Sequence, residues 1–325
     1  MPTPTDTAMP SFKRVMLATD FSEGSEAAFE TALDLCKTLS ARLSILHVFE
    51  YSDTMPLQKS GQTFEVFYQE AERALNQLLQ TARQDGVRCD VGIAGGLAVT
   101  AILETAEAQG TDLLVLGTNA AHGLERLIFG STAEAVLRKA SCPVITVGPK
   151  VHKPSTHADR PIIFATDFHP ATIHAVRYAA SACSGTQSPL HCLTVMPMTR
   201  DAGAQSQIIS QVTTEALRHL ASSSGIVISP PVCKTIFGSD FPETVIQYAK
   251  KEHARLIVLG VQRAPAIASH GPRDATYRLI AEAPCPVLTV TAPQNQSEGD
   301  NTVEAEAVHQ DLQAAWLKPR KRRVA

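Results

Sequence analysis

A glycine-rich stretch is the part of this sequence best suited to bind a ligand. Residues 117–132 read GTNAAHGLERLIFGST, with Gly117 after an apolar run and Gly130, Ser131 and Thr132 before a helical pattern. Backbone amides of such a loop and of a helix N-terminus point into one concavity, where the helix dipole adds about half a positive charge. Glycine lets the main chain approach a phosphate closely, and the two hydroxyls add donors. The stretch therefore predicts a phosphate-binding site.

A purely structural explanation competes with this prediction. Ser131 and Glu134 fit the Ser-x-x-Glu capping box that begins many helices. Gly117 could simply end a strand, and Gly123 could serve a turn. Spacing alone leaves the phosphate site and the plain helix cap both open.

The sequence contains no recognisable catalytic set. A Gly-x-Ser-x-Gly elbow, an HExxH helix and a Walker A lysine are all missing. His122 lies in the glycine-rich stretch, where it either contacts a phosphate or is solvated. His47 lies in an apolar run, where a hydrogen-bonded structural histidine is expected. We therefore predict no catalytic residue and no protein-bound metal, and enzyme activity stays undecided.

Composition limits the class of protein. At roughly 150 residues per domain, 325 residues suggest two domains, and a hydrophobic fraction of 44% supports real cores. The net charge of −3 gives no global attraction to nucleic acid or membrane, and no apolar run suits a membrane helix. The basic end, residues 318–323, fits either an anionic partner or, as we favour, a solvated tail. Without a secretory signal pattern, we expect a cytoplasmic protein.

The seven cysteines predict packing rather than cross-linking. Their number is odd, and they form neither Cys-x-x-Cys nor a zinc-type spacing. Most lie among apolar residues, where a cysteine behaves as a small hydrophobic side chain. We therefore expect neither a disulfide framework nor a structural metal.

The chain is an internal repeat of strands and helices. The segment ATDF at 18–21 recurs at 165–168, and CPV at 142–144 recurs at 285–287. Short apolar runs such as Arg14 to Thr19 alternate with helical spacings, which predicts an α/β fold with parallel sheets covered on both faces. The predicted organisation is a domain at 12–148, a linker at 149–159 that we expect to be exposed, a second domain at 160–291 and a flexible tail at 292–325 with one short helix.

These repeats resemble the universal stress protein family. Many members bind ATP through Gly-x2-Gly-x9-Gly-Ser/Thr after the fourth strand, which Gly117, Gly130 and Ser131 match. The opening ATDFS, the LHV at 46–48 and the CPV before the last strand also fit. The resemblance covers both repeats. It implies two Rossmann-like, adenine nucleotide alpha hydrolase-like domains, each a five-stranded parallel sheet of order 3-2-1-4-5.

The resemblance also implies the site residues and the ligand. Asp20 would lie beside the nucleotide, although an acid there can also serve as a helix cap, and the backbone of Val48 would meet adenine. Ala120 replaces the middle glycine, which costs roughly 1–2 kcal/mol if the backbone there is left-handed and so weakens binding by about 5- to 30-fold. ATP is the expected ligand, with Mg²⁺ only when ATP is bound. The full candidate set is Ala18, Asp20, Val48, Gly117, Ala120, Gly130, Ser131 and Thr132.

The second repeat departs from the phosphate-binding pattern. Arg263, Arg273 and Asp274 occupy the positions of Ala120, Gly130 and Ser131, although Gly260 and Asp167 are retained. An aspartate at the helix start repels phosphate, and an arginine removes the close approach that glycine allows. The arginines could still pair with an anion through their side chains. We predict a degenerate second site.

The functional prediction is a tandem stress-response regulator that binds ATP through its first domain. A ligand-free interaction scaffold and a slow ATPase or phosphotransferase are the alternatives. The resemblance further implies that the domains pair through their fifth strands, 144–147 and 287–290. Whether the paired chain forms a homodimer is left open.

Overall fold

A computed structural model describes residues 9–50, 64–118, 130–151, 159–169, 173–197, 204–223, 230–261 and 275–291. The first repeat alternates strands and helices, as its hydrophobic pattern predicts. The elements are β1 (Arg14–Thr19), α1 (Glu23–Leu39), β2 (Arg42–Phe49), α2 (Phe64–Gln84), β3 (Arg88–Gly95), α3 (Ala98–Ala108), β4 (Leu113–Gly117), α4 (Ser131–Lys139) and β5 (Val144–Val147).

The second repeat has the same succession of elements. They are β6 (Ile162–Ala165), α5 (Ala175–Thr186), β7 (Leu190–Met196), α6 (Ala204–Ser223), β8 (Val232–Phe237), α7 (Phe241–Lys251), β9 (Leu256–Val261), α8 (Ala275–Glu282) and β10 (Val287–Thr291). Both repeats therefore follow the βαβ pattern that produces parallel sheets.

The ten strands form one continuous sheet. Their order is β3-β2-β1-β4-β5-β10-β9-β6-β7-β8, so each half has the predicted order 3-2-1-4-5. Pairs within each half are parallel, whereas β5 and β10 are antiparallel, with Leu288 opposite Ile145. This confirms the predicted fold class and joins the two sheets through their fifth strands.

Helices cover both faces of the sheet. Side chains of α1, α2, α5 and α6 pack in one hydrophobic cluster, and those of α3, α4, α7 and α8 pack in the other. Each cluster contains buried residues from both halves, so the core continues across the junction of β5 and β10. Strands β1, β4, β5, β6, β9 and β10 are almost entirely buried because both of their faces are covered, whereas the edge strands β3 and β8 are mostly half-buried.

One residue of the predicted linker is packed rather than exposed. Val151 is buried in the same cluster as α1 and α5, whereas Lys150 and Asp159 are exposed. A Cβ added to Gly148 would overlap the carbonyl oxygen of Ile280, so the chain runs tightly against α8. The expectation of an exposed connection was therefore wrong for Val151, because the chain leaves β5 along the interface between the halves. The rest of the predicted linker, 152–158, and the tail with its predicted helix lie outside the described residues.

Among the described residues, the model has no helix with the length and hydropathy needed to cross a membrane.

Candidate functional site

The turn between β1 and α1 holds the Asp20 carboxylate in place. Phe21 adopts a left-handed backbone with φ of 60°, which turns the chain sharply after the strand. Oδ1 of Asp20 accepts hydrogen bonds from the Ser22 amide at 3.0 Å, the Ser22 hydroxyl at 2.5 Å and the Ser25 hydroxyl at 2.6 Å. These bonds within the turn set the orientation of an otherwise exposed carboxylate.

The same hydrogen bonds control the charge of Asp20. Partial burial raises the pKa of this carboxyl group, but the donors from Ser22 and Ser25 together outweigh burial, and the net pKa is lowered. A hydrogen bond donated to a carboxylate stabilises its ionised form. Asp20 is therefore an anion and a hydrogen-bond acceptor at neutral pH.

Strand register gathers four of the candidate residues at one edge of the sheet. Ala18 of β1 pairs with Leu46 of β2 and with Leu116 of β4. Continuing this register brings Asp20 level with Val48 and near the end of β4 at Gly117. β1 and β4 flank the point where strand order reverses, which is where open α/β sheets bind ligands.

Gly117 is required by the packing of α1. A Cβ at this position would overlap the carbonyl oxygen of Gly24 in the first turn of α1. Thr118 follows, buried, with its amide bonded to the Val147 carbonyl at 3.0 Å. The packing of α1 against β4 therefore explains why residue 117 is a glycine. The spacing of the motif alone did not show this.

Gly130 begins α4 without a side-chain cap. It is the N-cap residue, with φ of −59°, and the Glu134 amide donates to its carbonyl at 2.9 Å. The capping box expected from Ser131 and Glu134 was wrong, because the helix starts one residue earlier than that box requires. No atom of the described residues lies within 4 Å of a Cβ built at Gly130. Neither packing nor its backbone conformation thus explains this glycine.

The first turn of α4 packs into a hydrophobic cluster to which β1, β2 and β4 also contribute. Ala133 belongs to the hydrophobic cluster that contains Ala18, Leu46 and Leu116, and the half-buried Val48 packs against that cluster. Ser131 is exposed and Thr132 is partly buried. Ala120, with His122 and Gly123, lies outside the described residues.

The second repeat builds a similar turn after its first strand. Phe168 is left-handed with φ of 62°, and the His169 amide donates to Oδ1 of Asp167 at 3.0 Å. His169 stands where the first repeat has Ser22. Gly260 lies in β9, opposite Val290. Arg263, Arg273 and Asp274 lie outside the described residues, so the degenerate second site stays a prediction.

Sequence reasoning missed Ser25 and a group of rings beside the turn. Ser25 is buried and donates to Asp20, but its spacing of five residues matches neither a helical nor a strand period. The ring of His47 lies 4.5 Å from Phe21 and 5.0 Å from Phe49. Nδ1 of His47 is 2.8 Å from the Thr19 carbonyl, which confirms the expected structural histidine.

Both repeats match known proteins. The model of the universal stress protein family matches residues 11–148 and again 160–291. Universal stress protein MJ0531 of Methanocaldococcus jannaschii is 32% identical over 139 residues, which are 42% of this chain and 82% of that protein. Universal stress protein A homolog 1 of Coxiella burnetii is 31% identical over 147 residues, or 43% of this chain and 98% of that protein.

A solved structure supports the fold of both repeats together. The crystal structure of a universal stress protein from Archaeoglobus fulgidus aligns with a TM-score of 0.67 at 19% identity, covering 86% of this chain and 98% of that one. Because the family model matches twice and accounts for most of the sequence, this chain belongs to the universal stress protein family and contains two copies of its domain.

Proposed function

We propose that the first repeat binds an adenine nucleotide, ATP, at the edge formed by Asp20, Val48 and the N-terminus of α4, and that the bound state is used in stress-response regulation. The observation that carries this proposal is Gly130. It begins a helix, has no described atom within 4 Å of an added Cβ and has a backbone conformation that any residue adopts. Close approach of a phosphate to the helix N-terminus would explain a glycine that the described packing does not.

The charges of the edge support one orientation of the nucleotide. An ionised Asp20 repels phosphate and accepts hydrogen bonds from hydroxyl groups, so the ribose suits this side. The amides at the start of α4, with the hydroxyls of Ser131 and Thr132, suit the phosphates. Val48 lies in an apolar cluster that suits the adenine ring. Mg²⁺ would enter only with ATP, as the counterion of its phosphates.

Calorimetry with the purified chain tests the proposal. We expect ATP to bind to the unaltered protein with a stoichiometry of about one, and AMP and a cyclic dinucleotide serve as comparison ligands. Gly130→Arg should abolish binding by filling the approach to the helix N-terminus. The substitution should leave the fold intact, since a Cβ at Gly130 meets no described atom within 4 Å.

The second repeat provides the matched control. Asp20→Ala should weaken ATP binding, whereas Asp167→Ala removes the equivalent carboxylate from the other half and should leave binding unchanged. Equal losses in the two variants would contradict a site in the first repeat. If the unaltered protein binds none of the three ligands, the ligand-free interaction scaffold becomes the better account.

A further inference from the structure

Two cysteines lie side by side in the second half of the sheet. Cys192 of β7 and Cys233 of β8 are register partners in a parallel pair of strands. Both belong to the same hydrophobic face, Cys192 as a buried member and Cys233 packed against it. Neighbouring strands are about 4.8 Å apart, within the range of Cα separations, about 4.4–6.8 Å, that a disulfide bridges.

The two neighbouring thiols shift each other's pKa in opposite directions. The adjacent Cys192 thiol lowers the pKa of Cys233, although burial opposes this. The interaction with Cys233, together with burial, raises the pKa of Cys192. Because the thiolate is the reactive form, Cys233 is the stronger nucleophile of the pair.

No other cysteine combines a cysteine as register partner with a lowered pKa. All seven cysteines lie in the described part of the chain, and Cys233 is the one whose pKa is lowered. Burial raises the pKa of the remaining five, to about 11 for Cys89 and Cys142 and to about 12 for Cys36, Cys183 and Cys285.

A small oxidant can reach Cys233 from the edge of the sheet. β8 is the last strand of the sheet, and Cys233 is partly exposed, whereas Cys192 is only 1% exposed. The accessible thiol is thus the one with the lower pKa, and the buried thiol lies beside it as a resolving partner.

The first half shows that the fold does not need cysteines at this register. Ile45 of β2 pairs with Val91 of β3, and Ile45 lies 147 residues before Cys192, the shift between the two repeats in this region. Aliphatic side chains therefore satisfy the packing there, and the cysteine pair is specific to the second half.

We propose that Cys192 and Cys233 are a redox modification site, which a hydroperoxide converts into a reversible disulfide between β7 and β8. The Cys233 thiolate attacks a peroxide oxygen, breaks the O–O bond and becomes a sulfenic acid, while hydroxide or an alkoxide leaves. The Cys192 sulfur then displaces the sulfenic hydroxyl as water, forming the S–S bond. The two thiols are oxidised by two electrons, and the peroxide is reduced.

The test is a thiol count of the full chain in denaturant, before and after exposure to hydrogen peroxide. We expect two of the seven thiols to be lost and to return after treatment with dithiothreitol. Peptide mapping without reductant should find Cys192 linked to Cys233. This mapping uses the unaltered protein, so it does not depend on the folding of a variant.

Two variants separate this pair from the other cysteines. Cys192→Ala should prevent the disulfide and leave a sulfenic acid on Cys233 that dimedone traps. Cys183→Ala changes a buried cysteine of the same cluster and should still lose two thiols. Retention of all seven thiols in the unaltered protein, or a disulfide that excludes Cys233, would overturn the proposal.

Discussion

Asp20 combines a structural role in its turn with a role in the candidate site. Its Oδ1 accepts bonds from Ser22 and Ser25, which hold the left-handed residue Phe21 between β1 and α1. The same bonds keep the carboxyl group ionised and aimed at the edge of the sheet. The acid predicted from the ATDFS segment therefore orders the turn before α1, although it does not cap the helix, whose N-cap is Ser22 without a side-chain bond. It stays a candidate ligand contact.

The two glycines of the motif differ in why they are glycine. Gly117 has no room for a Cβ because Gly24 of α1 lies against it, whereas a Cβ at Gly130 would meet none of the described atoms within 4 Å. Gly117 is thus a glycine because of helix packing, whereas in our proposal Gly130 is a glycine because a ligand approaches it closely.

Gly117→Ala should destabilise the protein by about 1–3 kcal/mol, because the added methyl group meets backbone that cannot rotate away. Gly92→Ala is the matched control. It lies within β3, where an added Cβ meets only the Leu46 side chain at an ordinary 4.0 Å. Urea unfolding should show a lower midpoint for the first variant and little change for the second. Equal midpoints would show that α1 shifts to accommodate the methyl group.

At the level of elements, β7 and α7 are joined by a buried polar contact. The Tyr248 hydroxyl of α7 lies 2.9 Å from Nδ1 of His191 in β7. Burial lowers the pKa of His191, against an opposing effect of Glu252, and burial raises the pKa of Tyr248 to about 12. Both groups are therefore neutral in the folded protein near pH 7.

This pair makes stability depend on pH in a defined direction. The unfolded state has the ordinary histidine pKa of 6.5, so below that pH it binds a proton that the native state disfavours. The contribution of His191 is present above pH 6.5 and is lost as the pH falls. We expect the free energy of unfolding to decrease between pH 7 and pH 5, and His191→Gln to make that decrease smaller. The measurement is urea unfolding across this range.

An exposed histidine provides the control for this prediction. His219→Gln removes an exposed histidine of α6 and is the comparison substitution. If both substitutions change the slope equally, the pH dependence arises elsewhere in the chain.

At the scale of the whole molecule, the two halves are integrated into one structure. The pairing of β5 with β10 closes the edges that two separate chains would otherwise use to pair. α1 and α5 also meet across the junction, where Gly185 makes room for Leu39. The described contacts thus place inside one chain an interface that a homodimer would form between chains.

A nearly buried ion pair crosses this interface. Nη2 of Arg255, at the start of β9, donates to the carboxylate of Asp34 in α1 at 2.7 Å, with the two side chains 7% and 17% exposed. Asp34→Ala would leave the arginine charge buried without its partner, which costs about 3–5 kcal/mol. We therefore expect a large loss of stability in urea unfolding.

The same helix offers an exposed pair for comparison. Lys37 and Asp85 are 3.1 Å apart, but their side chains are 48% and 41% exposed. Lys37→Ala should cost only about 0–1 kcal/mol because solvent screens the interaction. Similar losses for Asp34→Ala and Lys37→Ala would mean that the pair between the halves contributes no more than a surface contact.

The order and type of the elements follow from local patterns in the sequence. β1 spans Arg14–Thr19 as predicted. These features follow from hydrophobic periodicity, which is a property of neighbouring residues and needs no long-range information. The internal repeat was also visible in the sequence, because both halves contain the ATDF and CPV segments next to their strands.

How distant segments meet depends on packing between elements that local patterns do not reveal. Periodicity gives no register between separate strands, so the pairing of Cys192 with Cys233 had no sequence signal and the cysteines were predicted as simple packing residues. The contact of Gly117 with Gly24 and the buried position of Val151 likewise depend on packing between elements. Such contacts form when the helices pack on the two faces of the sheet, because this packing brings together residues that are far apart in the chain.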